Sequence, residues 1–280
     1  MNLFPVFCAL LALQGPKIPS QHLPDAPLPG KVLAKVDGVE IRAGDVEALL
    51  WDWRGYDVLQ DLISFQLIRA EAEKKGVSVP EIEVLKIVDD QINATKASLP
   101  KDKDLDTALR ERGFPRSRLY MRVKTDLMLQ RIAEKEFQPA KFFLVSTMLF
   151  KPKSATAADV ADAVKRAEAA FKRLGNGEKW EDVLKSTQEV QGLVESKGRL
   201  GWRTIDAFPE PTITELATAK AGDLTKPVQT GSGIQFFRID SLGKDAKDRD
   251  LEEIRELYMA NSRTEILERI KRKGKVDILR

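Results

Sequence analysis

The chain has 280 residues, of which 32% are charged and 42% are apolar, and its formal net charge is +3. This length and balance are those of a folded protein with one or two hydrophobic cores. A net charge this small, with no basic stripe interleaved with aromatic residues, argues against a nucleic-acid partner.

The N-terminal residues 1–15 carry no charged side chain, and residues 3–13 are almost wholly apolar. This run is shorter than the roughly 20 residues that span a bilayer, but it suits a secretory signal peptide. No basic residue precedes it and no clear cleavage site ends it, so a buried or disordered segment is the alternative. We expect export to an extracytoplasmic, periplasmic location, with membrane contact only through this segment if it is uncleaved. Cys8, the only cysteine, would leave with the segment, so we expect neither disulfide nor thiol chemistry.

Residues 16–30 are rich in proline, which fixes φ and removes a backbone donor, so they are predicted to form an extended tether. The only histidine, His22, lies in this segment, and we interpret it as solvated. Histidine-based catalysis and histidine-rich metal sites are therefore nearly excluded. We expect no cofactor and no metal.

A hairpin and a long helix are predicted after the tether. Asp37 and Gly38 separate two short alternating runs, which is a strong hairpin signal. Residues 49–75 show helical spacing of apolar side chains, with a break expected near Gly55. Trp51 and Trp53 are two positions apart and cannot share one helix face, so we expect one in the core and the other exposed.

Three further helices are expected before residue 139. Ser78 and Glu81 match a capping box that would open the first of them. The other two are predicted over residues 105–112 and 116–136.

The period of the pattern changes after residue 140. Residues 142–150 are dense in β-branched and apolar side chains and predict a strand, and residues 233–242 predict another. Between them, Gly198 and Gly201 indicate a turn. Helices are expected over residues 157–174, 178–184 and 213–219.

The C-terminal part predicts a helix over residues 251–273 and a short strand around Val276 and Ile278. The apolar face of that helix needs a partner, which the helices before residue 140 supply. We therefore predict an α+β protein in which residues 31–139 and 244–280 form one helical domain. Residues 140–243 would be inserted into it as a second domain.

Two sequence blocks carry a family resemblance. The segment Gly198-Arg199-Leu200-Gly201-Trp202, followed by Lys226-Pro227-Val228-Gln229-Thr230-Gly231-Ser232-Gly233-Ile234, resembles the second half of a parvulin-type prolyl isomerase domain. The hairpin over residues 32–41 and the helix over residues 62–77 are similar to those of the SurA and PrsA extracytoplasmic foldases. The resemblance covers nearly the whole chain after residue 30. It implies a helical chaperone domain with an inserted parvulin-like domain of β-α-α-β-α-β type.

The resemblance also assigns site residues. Thr147 and Gln235 occupy the positions of the family's two histidines, and Gln188 or Glu189 falls near its cysteine or aspartate. Lys197 replaces the leading glycine of the double-glycine turn, and Thr212 or Ile213 falls near the pocket phenylalanine. The expected substrate-binding residues are Trp202, Phe208, Ile213, Thr230 and Gly233.

Rotation about an X–Pro bond meets a barrier of about 18–20 kcal/mol set by amide resonance. Lowering that barrier requires a site that prefers the twisted amide, and neither a nucleophile nor a metal. Thr147 and Gln235 could hydrogen-bond each other if they face across adjacent strands. Because several pocket groups are replaced at once, we expect weak or absent isomerase activity with the fold retained.

The leading functional hypothesis is an exported chaperone that binds unfolded or proline-containing polypeptides. An active prolyl isomerase of the same architecture and a non-enzymatic envelope scaffold for one partner are the alternatives. Met121, Met128, Phe65, Trp51 and Trp53 are candidates for an adaptable client-binding surface.

Overall fold

The structure is a computed structural model that describes residues 18–23 and 26–279. The chain separates into two compact units. The helical unit comprises the described residues up to Glu136 and those from Asn261 onward, and the sheet unit comprises Phe137–Ala260. The predicted export segment, residues 1–15, lies outside the described residues.

The helical unit begins with a hairpin and four helices. In chain order these elements are β1 (Val32–Val36), β2 (Val39–Arg42), α1 (Ala43–Lys74), α2 (Glu81–Ala97), α3 (Leu105–Glu111) and α4 (Arg116–Glu136).

The hairpin forms where the sequence predicts it. Asp37 and Gly38 both have positive φ, 50° and 83°, as a two-residue turn of this hand requires. The backbone N–H of Ala43 donates to the carbonyl of Lys31, and that of Gly44 donates to the carbonyl of Pro29, so the start of α1 is tied to the hairpin.

Helix α1 starts earlier than predicted and is unbroken. The N–H of Arg42 donates to the Asp45 carboxylate at 2.9 Å, which closes the first turn. The expected break at Gly55 is wrong: a Cβ at this position would lie 2.8 Å from Cε3 of Trp51. Gly55 therefore leaves room for the Trp51 ring beside it.

The capping box predicted at Ser78 is also wrong. Helix α2 begins at Glu81, and its N-cap is Pro80, which makes no side-chain capping bond. A proline here fixes φ where the backbone enters the helix, so the start does not depend on a serine side chain. Helix α3 does have a side-chain cap, because the carboxylate of Asp104 accepts from the N–H of Thr107 at 2.8 Å.

The predicted solvated histidine is buried. His22 lies in a short 3-10 turn, Ser20–His22, and its ring stacks on Tyr120 with centroids 6.0 Å apart. Ile18 packs against the same apolar cluster. That cluster is built from Val84, Val88, Ile92, Leu109, Leu119, Tyr120 and Val123. Ile18 and His22 therefore pack against a core, in a part of the chain that was predicted to be an extended tether.

The sheet unit alternates strands and helices. Its elements are β3 (Phe142–Phe150), α5 (Ala157–Gly175), α6 (Trp180–Thr187), α7 (Gln191–Glu195), β4 (Arg199–Thr204), α8 (Glu210–Leu216), β5 (Val228–Thr230), β6 (Gly233–Leu242) and the start of α9 (Asp248–Lys273). The four strands form one antiparallel sheet in the order β4-β3-β6-β5. The α+β class predicted from the sequence is confirmed.

The two faces of this sheet have separate cores. One face carries Met148, Phe150, Ile234 and Phe236 against α5 and α6. The opposite face carries Phe143, Val145, Phe237 and Ile239 against Phe208 and helix α8. Successive strand residues point to opposite faces, so β3 and β6 each contribute to both cores.

The C-terminal strand predicted around Val276 and Ile278 is wrong. Helix α9 ends at Lys273, and residues 274–279 lie in no helix or strand. Both side chains are exposed, so their alternation has no sheet to join. Among the described residues, no helix combines the length and the apolar character that crossing a bilayer requires.

Candidate functional site

The first candidate site is the sheet face covered by α8, which we call the Phe208 face. Its strand positions include Phe143, Val145, Thr147, Gln235 and Phe237, since these alternate with the residues of the other core. Thr147 and Gln235 are polar residues among apolar ones on this face, and Arg203, which pairs with Phe143, adds a charged one.

Thr147 and Gln235 lie on this face but are not directly opposite each other. Thr147 pairs with Phe237, whereas Gln235 pairs with Leu149. Thr147 and Gln235 are therefore diagonal neighbours, two residues apart along the strands. The Thr147 hydroxyl is buried and donates to the carbonyl of Phe236 at 2.9 Å. Gln235 is half-buried and makes no side-chain hydrogen bond to any described residue. The mutual hydrogen bond considered from the sequence is therefore not formed.

Phe208 is the centre of the face. Its ring packs edge-on against Phe237, with centroids 5.1 Å apart, and against Phe143 at 6.2 Å. Ile213 is half-buried and joins the same cluster from α8. The rings of Phe208, Phe143 and Phe237 thus fill much of the space beneath the face, and Ile213 and Gln235 remain accessible.

Thr212 is buried on α8 next to Ile213, at the position where the resemblance expects an aromatic wall. Its Oγ1 is a buried atom with no hydrogen-bond partner among the described residues. By contrast, the hydroxyl of Thr225 accepts from the N–H of Phe237 at 3.0 Å. No sequence pattern points to Thr225, because it lies outside any helix or strand.

Thr230 and Gly233 shape the turn between β5 and β6. The Thr230 hydroxyl donates to the carbonyl of Gly233 at 3.1 Å and accepts from the N–H of Ser232 at 3.2 Å. Gly233 has φ of 139°, and a Cβ there would lie 2.7 Å from the carbonyl oxygen of Phe150. Both residues therefore have a backbone role that accounts for their presence without a substrate.

The turn before β4 reaches Thr147 directly. Lys197 and Gly198 both have positive φ, 56° and 77°, so Lys197 keeps the left-handed conformation without being a glycine. The N–H of Thr147 donates to the carbonyl of Gly198 at 2.8 Å. A Cβ on Gly198 would lie 2.6 Å from the carbonyl oxygen of Thr147.

Trp202 does not belong to the Phe208 face. It is buried in a cluster with Phe142 and Ile254, beside Leu144, and these strand positions point to the other side of the sheet. The structure therefore corrects the expectation that Trp202 contacts substrate: it is a core residue.

Gln188 and Glu189, near the family's cysteine or aspartate position, follow the end of α6. The amide oxygen of Gln188 accepts from the N–H of Val190 at 3.2 Å, and its buried Nε2 has no partner among the described residues. Glu189 is exposed and pairs with Arg166 at 3.0 Å. Neither side chain contacts Thr147 or Gln235 through a hydrogen bond.

A polar network on the opposite sheet face was not expected from the sequence. The buried Ser146 hydroxyl donates to Asp240 at 2.6 Å, and Arg238 donates to the same carboxylate at 2.6 Å. The Arg238 guanidinium lies 4.5 Å from the ring centroid of Trp180. Since each charged group is paired, we interpret this network as structural.

The chemistry open to the Phe208 face follows from these side chains. Thr147, Gln235, Thr212 and Ile213 carry no group that titrates near neutral pH. Asp159, whose pKa is lowered by hydrogen bonds from Ser154 and Thr156, lies at the start of α5 on the other side of the sheet. No cluster of metal-binding side chains occurs in the described part of the chain. The face presents apolar side chains and the amide of Gln235, and none of these four side chains is an acid or a base near neutral pH.

The second candidate site is the apolar arm, which we define as residues 28–59. Trp51, Trp53 and Tyr56 on α1 are 73%, 67% and 68% exposed. The expectation that one tryptophan is core is wrong, whereas Phe65 and Met128 are buried as ordinary core residues. The other exposed apolar side chains of the arm are Leu28, Val32, Leu33, Val36, Val39, Ile41, Val46, Leu49, Leu50, Val58 and Leu59.

The comparisons with known proteins agree with this geometry. Residues 133–256 match the model of the PPIC-type PPIase domain, the rotamase family to which parvulins belong. The sheet unit is therefore a parvulin-type domain. The chain as a whole is similar to proteins of the SurA and PrsA kind.

Two relatives illustrate the degree of similarity. The chain is 21% identical over 215 residues to the chaperone SurA of Salmonella paratyphi A, covering 67% of this chain and 48% of that protein. It is 24% identical over 187 residues to the chaperone SurA of Aromatoleum aromaticum, covering 58% of this chain and 42% of that protein. The matched region thus spans about half the length of these relatives.

A solved structure supports the fold across both units. The peptidylprolyl isomerase PrsA from Bacillus cereus matches with a TM-score of 0.51 at 14% identity. The match covers 90% of this chain and 95% of that one. At this identity the likeness concerns the fold alone.

Proposed function

We propose that this protein is an extracytoplasmic foldase that holds unfolded polypeptides on its helical unit. The observation that carries the proposal is the exposed apolar arm. A run of exposed aromatic and aliphatic side chains of this extent is uncommon on a monomeric protein surface and marks a binding surface. Such a surface suits extended apolar polypeptides, because apolar contacts do not depend on a particular ligand sequence.

Client contact is assigned to one stripe of the arm, the Trp53 face, formed by Leu49, Trp53 and Tyr56. These positions follow helical spacing, so their side chains project from one side of α1. Flat aromatic rings provide large contact area at a low cost in conformational entropy.

The test is suppression of aggregation of several unrelated unfolded clients by the full chain. Replacing both aromatic residues, Trp53→Ala with Tyr56→Ala, should raise the amount of chaperone required about five- to tenfold, as loss of interface hot spots does. The matched control is Ile82→Ala, because Ile82 is a single exposed apolar side chain on α2. Equal protection by wild type and the double variant would contradict the assignment. Protection of one client only would favour the scaffold alternative.

The parvulin-type domain is proposed to have weak or no isomerase activity. Support comes from Thr147, whose hydroxyl is committed to the Phe236 carbonyl, and from Gln235, which lies one pair away from it. The site therefore has no pair of facing polar groups. Isomerisation of prolyl tetrapeptides by the full chain should proceed with an efficiency below about 10⁴ M⁻¹ s⁻¹, the lower end of ordinary enzymes. A higher value would establish the active-isomerase alternative.

Export rests on the apolar run at residues 3–13. We propose removal of this run and a periplasmic location. Intact-mass measurement of the protein from the envelope fraction of its native host checks this. Recovery of the uncleaved chain from the cytoplasm would refute it.

A further inference from the structure

The end of helix α9 carries a dense group of cations. Lys271, Arg272 and Lys273 form its last turn, and Lys275 follows two positions later. All four side chains are exposed. Lys271 lies 3.6 Å from Glu268, whereas the other three form no ion pair with any described residue. These three cations are therefore available to a partner outside the molecule.

The helix dipole accounts for only part of this group. Cations in the last turn of a helix are stabilised by the partial negative charge of its C-terminus, and the effect falls off within that turn. Helix α2 has a single basic residue, Lys96, in its last turn. Lys275 lies beyond α9, which ends at Lys273. One cation thus serves a helix end, and the additional ones call for another explanation.

Exposed aliphatic side chains follow the cations directly. Val276, Ile278 and Leu279 are 42%, 52% and 92% exposed, and residues 274–279 lie in no helix or strand. Residues 275–279 make no hydrogen bond to the rest of the described chain. The segment from 271 to 279 is therefore cationic and apolar at once, and its apolar side chains have no cover in the fold.

The segment starts from a fixed base in the helical unit. Ile270 is buried, and a Cβ on Gly274 would lie 2.6 Å from Cδ2 of Leu67, so the backbone that leaves α9 lies directly against α1. Lys271 and Arg272 are about 100° and 200° further round the helix than Ile270, so they project away from this packed side. The cations are thus held at the surface of a packed helix.

A bilayer with anionic headgroups matches both properties of the segment. Each basic residue near such a surface strengthens binding about fivefold. Aliphatic side chains gain further at the boundary between headgroups and acyl chains, while long lysine side chains beside them keep their ammonium groups among the headgroups. A free phosphate would use the cations and leave the three aliphatic side chains in water. The combination therefore favours a lipid surface.

We propose that residues 271–279 dock the protein reversibly on a bilayer that contains anionic phospholipid. Arg272, Lys273 and Lys275 contact the lipid phosphates, and Ile278 and Leu279 insert at the headgroup boundary. This contact adds to the one expected through residues 1–15 and uses none of the Trp53 face. For an exported foldase, it keeps the helical unit at the membrane.

Co-sedimentation of the full chain with vesicles tests the cationic part. One set of vesicles contains phosphatidylcholine alone, and the other contains an equal mixture with phosphatidylglycerol. Uncharged residues 3–13 and the apolar arm contribute to both sets, so the ratio of binding between the sets scores the anionic contribution. Lys273→Gln with Lys275→Gln should lower binding to the anionic set about thirtyfold. The matched control is Lys96→Gln with Lys101→Gln, which removes the same charge from two exposed lysines and should leave binding unchanged.

The aliphatic part is tested with Leu279→Ser. Loss of one inserted leucine should lower binding to the anionic set about tenfold, whereas Ile82→Ser, at an exposed position on α2, should not. Because all of these side chains are exposed, thermal unfolding should be unchanged in every variant.

Four outcomes would each overturn the proposal. They are equal binding to both sets of vesicles, an equal loss with the Lys96 and Lys101 control, full binding by Leu279→Ser, and release by inorganic phosphate beyond that caused by chloride at the same ionic strength. Client protection is scored without vesicles, so failure of membrane docking leaves the proposed function standing.

Discussion

Nη2 of Arg269 lies 2.6 Å from one carboxylate oxygen of Glu136 and 2.8 Å from the other, joining two helices 133 positions apart in the chain. Lys75, just after α1, reaches the same carboxylate at 2.8 Å. Three chain segments of the helical unit therefore meet at one partly buried acidic group.

The first prediction concerns acid stability. Burial alone would raise the pKa of Glu136, but hydrogen bonds from Arg269 and Lys75 outweigh it and hold the pKa below its ordinary value near 4.5. A carboxyl group whose pKa is lowered by folding stabilises the folded protein at pH values above its ordinary pKa. This stabilisation is lost as the pH falls through the folded-state pKa. Glu136→Gln should lower the free energy of unfolding by about 1–3 kcal/mol at pH 7. It should also weaken the dependence of that free energy on pH in the acid range. Urea unfolding between pH 3 and 7 (roughly the window of this linkage) measures both, with the exposed Glu134→Gln as control.

The second prediction compares two buried threonines. Thr212→Val should be neutral or stabilise the sheet unit by about 1 kcal/mol, because it removes a hydroxyl with no partner among the described residues. Thr225→Val should destabilise it by about 1–3 kcal/mol, because the N–H of Phe237 loses its acceptor. Thermal unfolding of both variants shows whether each substitution raises or lowers the stability. Equal effects would indicate that Thr212 has an unseen partner.

The third prediction concerns the turn before β4. Gly198→Ala should destabilise the protein by about 2–4 kcal/mol, from the positive φ together with the contact with the Thr147 carbonyl. Gly201→Ala is the matched control, since Gly201 has φ of 81° but its nearest neighbour to a new Cβ is 3.9 Å away. The control should cost only about 1–2 kcal/mol. Chemical denaturation measures the free energy of unfolding of both variants. The difference between them is the cost of the contact between the new Cβ and the Thr147 carbonyl.

The fourth prediction is partial recovery of catalysis. Thr147→His with Gln235→His should raise prolyl isomerase activity above that of wild type but leave it short of an intact parvulin domain. The reason is that Thr212, with no aromatic ring, still stands at the pocket wall. Tetrapeptide isomerisation kinetics provide the measurement, and each single variant serves as a control. If the wild type already isomerises prolyl peptides as efficiently as an intact parvulin domain, the prediction is wrong.

Long periodic segments were predicted closely from the sequence. Strands β3 and β6 and helix α4 have the expected bounds, because their patterns run over many residues without competing signals. The boundaries of α6 and α8 shifted by two or three residues, since short helices offer few positions to fix them.

The failures have physical causes beyond local sequence. His22 lies in a proline-rich stretch, and its burial depends on Tyr120, which is far along the chain. The offset of Thr147 from Gln235 depends on strand register, which shifts at an irregularity between Leu144 and Val145. Register and long-range stacking are set by the tertiary fold, so no local pattern could supply them.

The four tryptophans of the chain divide cleanly between the two units. Trp51 and Trp53 are solvent-facing in the arm, whereas Trp180 and Trp202 are buried in the sheet unit. Intrinsic fluorescence therefore carries two separable signals. Acrylamide quenches the arm pair in the native protein and a bound client shields Trp53, while a red shift in denaturant reports melting of the sheet unit alone.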